Sequence, residues 1–362
     1  MTPHARSLRK LMTRQDLSRA ESAELLETLL RQDSTGWKLL AWSVASQTKG
    51  ETVDELLGMC DAMRALTGGY DLDLAGRRPL EVSSAGSSGV RKINVSTLMA
   101  LVVGEPEVPV IKHSFFRITS VAGSADVLAG VGIVVPAVTI PQVRRAIEQV
   151  GVAFYSPIFV SPELANLVHF GQALLEHEVG VSTPFNLLVP LFTPVPIRYR
   201  MFGLNNPRQF ELLTDLFKGL GFENGLVVRG FDGLDEATIC GPSRVRGYRG
   251  GEDFDFVLQP EQAGLKSAPL EAVAPADAES NLRDFLRVAY GLETGPKRDL
   301  VALNSGLALW ISGRTASIEE GVREALRRLA SGEVRDKLRA VVEITGNPEV
   351  LRKAEQEHGM FV

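Results

Sequence analysis

The sequence predicts a small all-helical N-terminal domain followed by a larger α/β domain with a mostly parallel central sheet. Three observations carry this expectation. Apolar residues between Ser7 and Leu66 recur at helical intervals. From Leu80 onward, short apolar runs alternate with helix-like stretches, the pattern of parallel strands joined by crossover helices. Between the two styles lies the helix-stopping run Thr67-Gly68-Gly69-Tyr70. The expected division is a helical domain over 1–72, with helices from about 162–182 packing on it, an α/β domain over 76–345, and a tail helix over 346–362.

Taken in order, the helical region has one apolar set from Leu8 to Leu29 and a second from Leu39 to Met63. Ser22-Ala23-Glu24-Leu25 and Thr52-Val53-Asp54-Glu55 place small polar and acidic residues where helices begin. Strands are expected at Pro109-Val110-Ile111, Gly132-Ile133-Val134-Val135, Val152-Ala153-Phe154-Tyr155 and Gly225-Leu226-Val227-Val228. Helices are expected at 124–129, 141–150 and 207–220, an antiparallel excursion within 241–274, and closing helices at 281–290 and 318–338.

Composition narrows the function classes. The 362 residues are 44% hydrophobic and 23% charged, enough for a sizeable core in two domains. A net charge of −5 gives no general attraction to polyanions. Cys60 and Cys240 form no C-x-x-C pair, which argues against a zinc site or disulfide framework and fits a reducing compartment. The N-terminus shows no apolar signal core. The apolar stretch 127–143 is interrupted by Gly130, Gly132, Pro136 and Pro141 and falls short of the ~20 apolar residues of a membrane span. A soluble, cytoplasmic protein is expected.

Three segments could carry chemistry. The first is Ser83-Ser84-Ala85-Gly86-Ser87-Ser88-Gly89, leading into Asn94-Val95-Ser96-Thr97. A loop of small residues before a helix lets backbone N–H groups and the helix dipole meet a phosphate; an ordinary serine–glycine turn is the other reading. The second is Lys112-His113 at a strand end, followed by Thr119-Ser120. Ligands of open parallel sheets sit at such ends, although a solvated strand end fits equally. The third is Asp232-Gly233-Leu234-Asp235-Glu236, whose adjacent carboxylates could hold Mg²⁺ or simply form an acidic turn.

In this order and spacing the segments resemble the anthranilate phosphoribosyltransferases, and more distantly the pyrimidine nucleoside phosphorylases. The family's Gly-Thr-Gly-Gly-Asp-Gly loop corresponds to Ser84-Ala85-Gly86-Ser87-Ser88-Gly89, and its Asn-Ile-Ser-Thr to Asn94-Val95-Ser96-Thr97. Its Lys-His-Gly-Asn-Arg corresponds to Lys112-His113-Ser114-Phe115-Phe116. Gly123-Ser124-Ala125-Asp126, Phe185-Asn186-Leu187-Leu188 and Gly233-Leu234-Asp235-Glu236 match it directly, and 304–321 is similar to its closing region.

The resemblance implies the nucleoside phosphorylase/phosphoribosyltransferase fold class, an active site in a hinge cleft and a homodimer joined through the helical domain. It implies donor binding by Ser84, Gly86, Ser87, Ser88, Gly89, Asn94, Ser96, Thr97, Lys112, Thr119 and Ser120. Magnesium falls to Ser96, Asp235 and Glu236, with Lys112, Asp235 and Glu236 as catalytic groups. The acceptor pocket corresponds to His113, Phe115, Phe116, Ser182 and Asn186. Ser87 and Ser88 stand in place of a glycine and an aspartate, and Ser182 and Glu176 in place of arginines that would grip a carboxylate. The reading that follows is a Mg²⁺-dependent pentosyltransferase that uses phosphoribosyl pyrophosphate or phosphate with a neutral or aromatic acceptor other than anthranilate. Two alternatives stand beside it. One is a genuine anthranilate phosphoribosyltransferase. The other is a non-catalytic nucleic-acid binder using Arg91-Lys92, Arg198 and Arg200 about Tyr199, and Arg244, Arg246 and Arg249 about Tyr248.

Overall fold

The computed structural model describes residues 2–32, 36–67, 72, 74–85, 90–114, 123–156, 166–167, 170–171, 173–174, 184–192 and 195–360, the side chains of 185, 186 and 190 excepted. Two compact units emerge. One comprises 1–71, 157–196 and 208–221; the other comprises 72–156, 197–207 and 222–362. The stretch 208–221 thus packs with the helical unit, not with the α/β part in which the sequence placed it.

The helical unit contains α1 (Pro3–Met12), α2 (Arg19–Gln32), α3 (Trp37–Lys49), α4 (Val53–Thr67), α8 (Pro184–Leu191) and most of α9 (Pro207–Gly219). Leu25, Leu26, Leu29, Trp42, Leu56, Met59 and Met63 form its buried core. The start of α4 is the one expected from Thr52 and Glu55. Thr52 N donates to Glu55 Oε2 at 2.9 Å and Glu55 N to Thr52 Oγ1 at 3.2 Å, a reciprocal cap. The start of α2 lies earlier than expected. Ser18 and Glu21 make the equivalent exchange, while Ser22 is buried within the helix and donates its hydroxyl to the Glu55 carbonyl.

In the second unit a seven-stranded sheet has the order β3-β2-β1-β4-β5-β6-β7. The strands are β1 (Leu80–Ser84), β2 (Val110–His113), β3 (Val152–Tyr155), β4 (Tyr199–Gly203), β5 (Asn224–Gly230), β6 (Ser243–Arg249) and β7 (Glu252–Leu258). The first five pair in parallel and the last two antiparallel, so the excursion expected within 241–274 is a hairpin on the sheet's end. The apolar run 132–135 is not a strand. Its residues turn back on α6 (Ser124–Gly130), with Ile133 N bonded to Leu128 O and Asn347 N to Gly132 O, and Val135 opens a 3₁₀ turn. Burial of Ile133 and Val135, not strand pairing, explains the apolar pattern.

One face of the sheet carries Leu80, Val82, Val110, Val152, Tyr199, Met201, Leu226 and Val228 into the main core. That core is filled by α5 (Val95–Val103), α10 (Ala278–Ala289), α11 (Pro296–Ile311), α12 (Ile318–Ala330) and α13 (Glu333–Thr345), with α7 (Ile140–Gln149) and α14 (Pro348–Glu357) outside them. The helix expected over 318–338 is two helices, broken at Gly332, whose φ of +86° few other residues tolerate. Helix α5 is apolar all round and buried against β1, β2, α10, α11, α12 and α13. At its C-terminus Arg314, Arg328 and Lys337 donate to the carbonyls of Val103, Val102 and Gly104. Three cations therefore complement the negative end of the helix dipole, and its positive end lies toward the loop after β1. Among the described residues, no helix is long and apolar enough to cross a membrane.

Candidate functional site

The chain leaves β1 to build β2 on one side and later adds β4 on the other. The C-terminal ends of β1 and β4 therefore flank a topological switch point, where open parallel sheets hold their ligands. Ser84 ends β1, Gly203 ends β4, and Lys112 and His113 end β2. A Cβ at position 203 would run into the carbonyl oxygen of Asp235 and lie 3.0 Å from Ser84 Cβ. Glycine here lets the turn after β5 close over the strand ends.

That turn is held from three directions. Asp232 accepts from Leu234 N at 3.1 Å and from the Thr238 hydroxyl at 2.5 Å, so it shapes the turn and is not part of the carboxylate pair. Asn304, fully buried on α11, accepts from Ala237 N at 3.0 Å and donates to Ala237 O at 2.8 Å and Leu300 O at 2.9 Å. The Ser84 hydroxyl donates to Glu236 Oε1 at 3.1 Å. Thus Asp235 and Glu236 are fixed at the switch point, both buried.

Lys92 meets the two carboxylates. Its ammonium contacts Asp235 Oδ1 and Glu236 Oε2, and its side chain is only 14% exposed. Burial opposes the charge on Lys92, but Asp235 and Glu236 outweigh that and hold it as an ammonium well above the usual lysine range. Glu236 is pushed up to about 7 by burial and by Asp235, against the pull of Lys92. Among the described residues no group of three or more His, Cys, Asp or Glu side chains is arranged to hold a metal ion.

Beneath this lies a buried charge cluster. Arg200 Nη1 stands 2.7 Å from Glu81 Oε2, and His113 Nδ1 stands 2.8 Å from Glu81 Oε1. Ser83 bridges the pair, donating to Glu81 Oε2 at 3.0 Å while accepting from Arg200 Nη2 at 3.0 Å. Burial alone would raise the Glu81 carboxyl; Arg200 and His113 overcome it and hold the group below its ordinary value. Burial lowers the His113 imidazole despite Glu81, so it is neutral at pH 7. Because the folded-state value is depressed, the stability this histidine contributes is present in full above pH 6.5 and is lost as pH falls below it. The expected result in ¹H–¹⁵N NMR is a His113 ring that titrates below 6.5. A midpoint at or above 6.5 would contradict the assignment.

Lys112 is also buried, donating to the His113 carbonyl at 3.2 Å. Burial lowers it to about 8; Glu81 opposes that shift and Arg200 adds to it.

The structure brings Ser84, Asp235 and Glu236 together, with Lys112 one strand away. Other expectations change. His113, assigned to an acceptor pocket, is 2% exposed and faces Glu81. Thr97 is fully buried within α5. Asn94 accepts from Asn281 Nδ2 on α10, which anchors the entry to α5; Ser96 is half-buried in the first turn. Gly86, Ser87, Ser88, Gly89, Phe115, Phe116, Thr119, Ser120, Glu176 and Ser182, and the side chain of Asn186, lie outside the described residues.

Several of the basic groups expected to meet nucleic acid have partners within the chain. Lys92 is on the carboxylate pair, Arg200 on Glu81, Arg198 on Glu223 and Arg244 on Asp255. Arg249 stacks over Trp310, and buried Tyr248 donates its hydroxyl to Phe222 O. Sequence reasoning missed Glu81, whose only signal was an acidic residue set between Leu80 and Val82. It also missed Asn304, a polar residue on a helix otherwise buried.

Comparison with known proteins adds the following. The family model described as the glycosyl transferase family a/b domain matches residues 77–335, and the helical bundle domain of that family matches residues 5–67. The anthranilate phosphoribosyltransferase of Acetivibrio thermocellus is 33% identical over 349 residues, covering 94% of this chain and 96% of the relative. That of Anaeromyxobacter sp. is 34% identical over 341 residues, covering 94% and 98%. The crystal structure of anthranilate phosphoribosyltransferase from Thermus thermophilus superposes with a TM-score of 0.83 at 32% identity, covering 94% of this chain and 99% of that one. The Saccharomyces cerevisiae enzyme in complex with PRPP and Mg shares the fold, with a TM-score of 0.82 at 20% identity, covering 94% and 97%.

Proposed function

The chain belongs to the glycosyl transferase family that joins a helical-bundle domain to an α/β domain, and we propose that it is a phosphoribosyltransferase acting on phosphoribosyl pyrophosphate and anthranilate. The similarity to anthranilate phosphoribosyltransferases along both domains is the observation that carries this reading. The acceptor expected from the sequence was a neutral or aromatic compound other than anthranilate. That expectation leaned on Phe115, Phe116, Glu176 and Ser182, all outside the described residues, and the relatives favour anthranilate instead.

In this reading the donor's diphosphate meets the N-terminal end of α5 and the strand ends at Ser84 and Lys112, where backbone N–H groups and the Lys112 ammonium offset its charge. The C1–O bond to diphosphate breaks, a C1–N bond to the amine forms, and the amine proton leaves with solvent or diphosphate. The protein's part is positioning and charge stabilisation.

The yeast relative holds Mg with its donor. In this chain the pair that the sequence marks for a metal, Asp235 and Glu236, is bound to Lys92 and Ser84. As it stands, the pair does not fit a divalent ion.

The direct test is the loss of anthranilate fluorescence on adding phosphoribosyl pyrophosphate, with rescue of a tryptophan auxotroph as its cellular counterpart. Turnover and rescue are expected; neither occurring at millimolar donor would reject anthranilate as acceptor. Lys112 adds a pH signature. With its value near 8, donor affinity is expected to fall between about pH 7.5 and 9 as the ammonium is lost. Calorimetry across this range checks it, and Lys112→Met should remove the dependence.

A further inference from the structure

Asp235 and Glu236 offer four carboxylate oxygens, and three of them have identified partners within the chain. Glu236 Oε1 accepts the Ser84 hydroxyl, while Glu236 Oε2 and Asp235 Oδ1 share the ammonium of Lys92. A divalent cation needs such oxygens at roughly 2.0–2.1 Å for Mg²⁺, and an ammonium already bound to both carboxylates stands in the way. Two positive charges cannot share this small buried space without strong repulsion.

The placement of Lys92 does not rest on its long side chain alone. The segment 90–93 runs beside the turn after β5: Val90 Cγ2 lies 3.3 Å from where a Cβ on Gly233 would stand, two residues before the Lys92–Asp235 contact. Next along the chain, Ile93 is buried in the main core. The backbone on both sides of Lys92 is thus held in register with the carboxylates. The turn itself is clamped by Asn304.

We propose that Lys92 is a resident, tethered cation for Asp235 and Glu236, and that it excludes divalent metal from this pair. The site then carries a fixed single positive charge where a metal-binding arrangement would recruit a double one. Phosphate-bearing ligands entering at the switch point meet an ammonium supplied by the chain. For the identity of such a ligand the inference rests on the phosphoribosyl-transfer reading; for metal exclusion it does not.

The test is titration of the full-length protein with Mn²⁺ alone, followed by electron paramagnetic resonance of the free ion, with neither donor nor acceptor present. Wild-type protein and Asp235→Asn should give the same titration. Lys92→Met should gain one Mn²⁺ site, at least tenfold tighter than any wild-type site, and Lys92→Met/Asp235→Asn should lose it again. Lys92→Arg, which keeps the charge, should gain none. A saturable wild-type site that Asp235→Asn removes would overturn the proposal, as would a folded Lys92→Met variant that binds Mn²⁺ no better than wild type. The comparison of wild type with Asp235→Asn decides the matter even if Lys92→Met does not fold. Because no turnover is measured, failure of phosphoribosyl transfer leaves every arm readable.

Discussion

Glu81→Ala is expected to destabilise the fold by about 3–5 kcal/mol, the range for removing one partner of a buried ion pair. Arg200 and Glu81 are both 0% exposed, and His113 and Ser83 complete the carboxylate's surroundings. Without Glu81, a guanidinium that no water reaches keeps its charge, because arginine does not give up its proton to escape burial. The cost therefore comes mainly from the stranded charge and less from the lost attraction. It follows that Glu81→Leu/Arg200→Met, which removes both charges at similar volume, should recover most of the loss. Urea unfolding of wild type, the single variant and the double variant checks this. A single-variant loss under about 1 kcal/mol, or a double variant no better than the single, would show that the cluster is not the charge trap its geometry implies.

Asn304→Leu is expected to cost about 2–4 kcal/mol, and to weaken donor binding at least tenfold. Leucine has the branching of asparagine and is somewhat larger, so no cavity is made. What is lost is a reciprocal clamp on Ala237, whose N–H and C=O are each left buried without their side-chain partner. Each orphaned group carries a penalty of about 1–3 kcal/mol. The second effect follows from position: Ala237 is the next residue after Glu236, and relaxing it frees the turn that brings Asp235 and Glu236 to Ser84. Urea unfolding gives the first number and calorimetry with phosphoribosyl pyrophosphate the second. A variant that loses stability but binds donor normally would detach this turn from the binding site.

Much of the architecture was legible because it is written locally. Helical spacing marked the N-terminal unit, and alternation from Leu80 marked the parallel strands. The Thr52–Glu55 cap could be read three residues apart. The run 132–135 misled because a buried loop and a buried strand need the same apolar residues. The site was legible only in part. Asp235, Glu236 and Ser84 were recognisable as a carboxylate pair and the end of an anion loop, but Lys92 and Arg200 were read only as parts of basic groups that could meet nucleic acid. Lys92 meets Asp235 across 143 residues, and Arg200 meets Glu81 because β4 lies beside β1. Nothing local distinguishes a lysine that faces solvent from one that folds inward; strand order decides it.

A phosphoribosyl donor is expected to bind at the switch point between β1 and β4. Calorimetric titration of the full-length protein with phosphoribosyl pyrophosphate tests it most directly, repeated with Lys112→Met. A single saturable site is expected in the wild type, weakened at least tenfold in the variant. No heat at millimolar donor, or equal binding by both proteins, would contradict it.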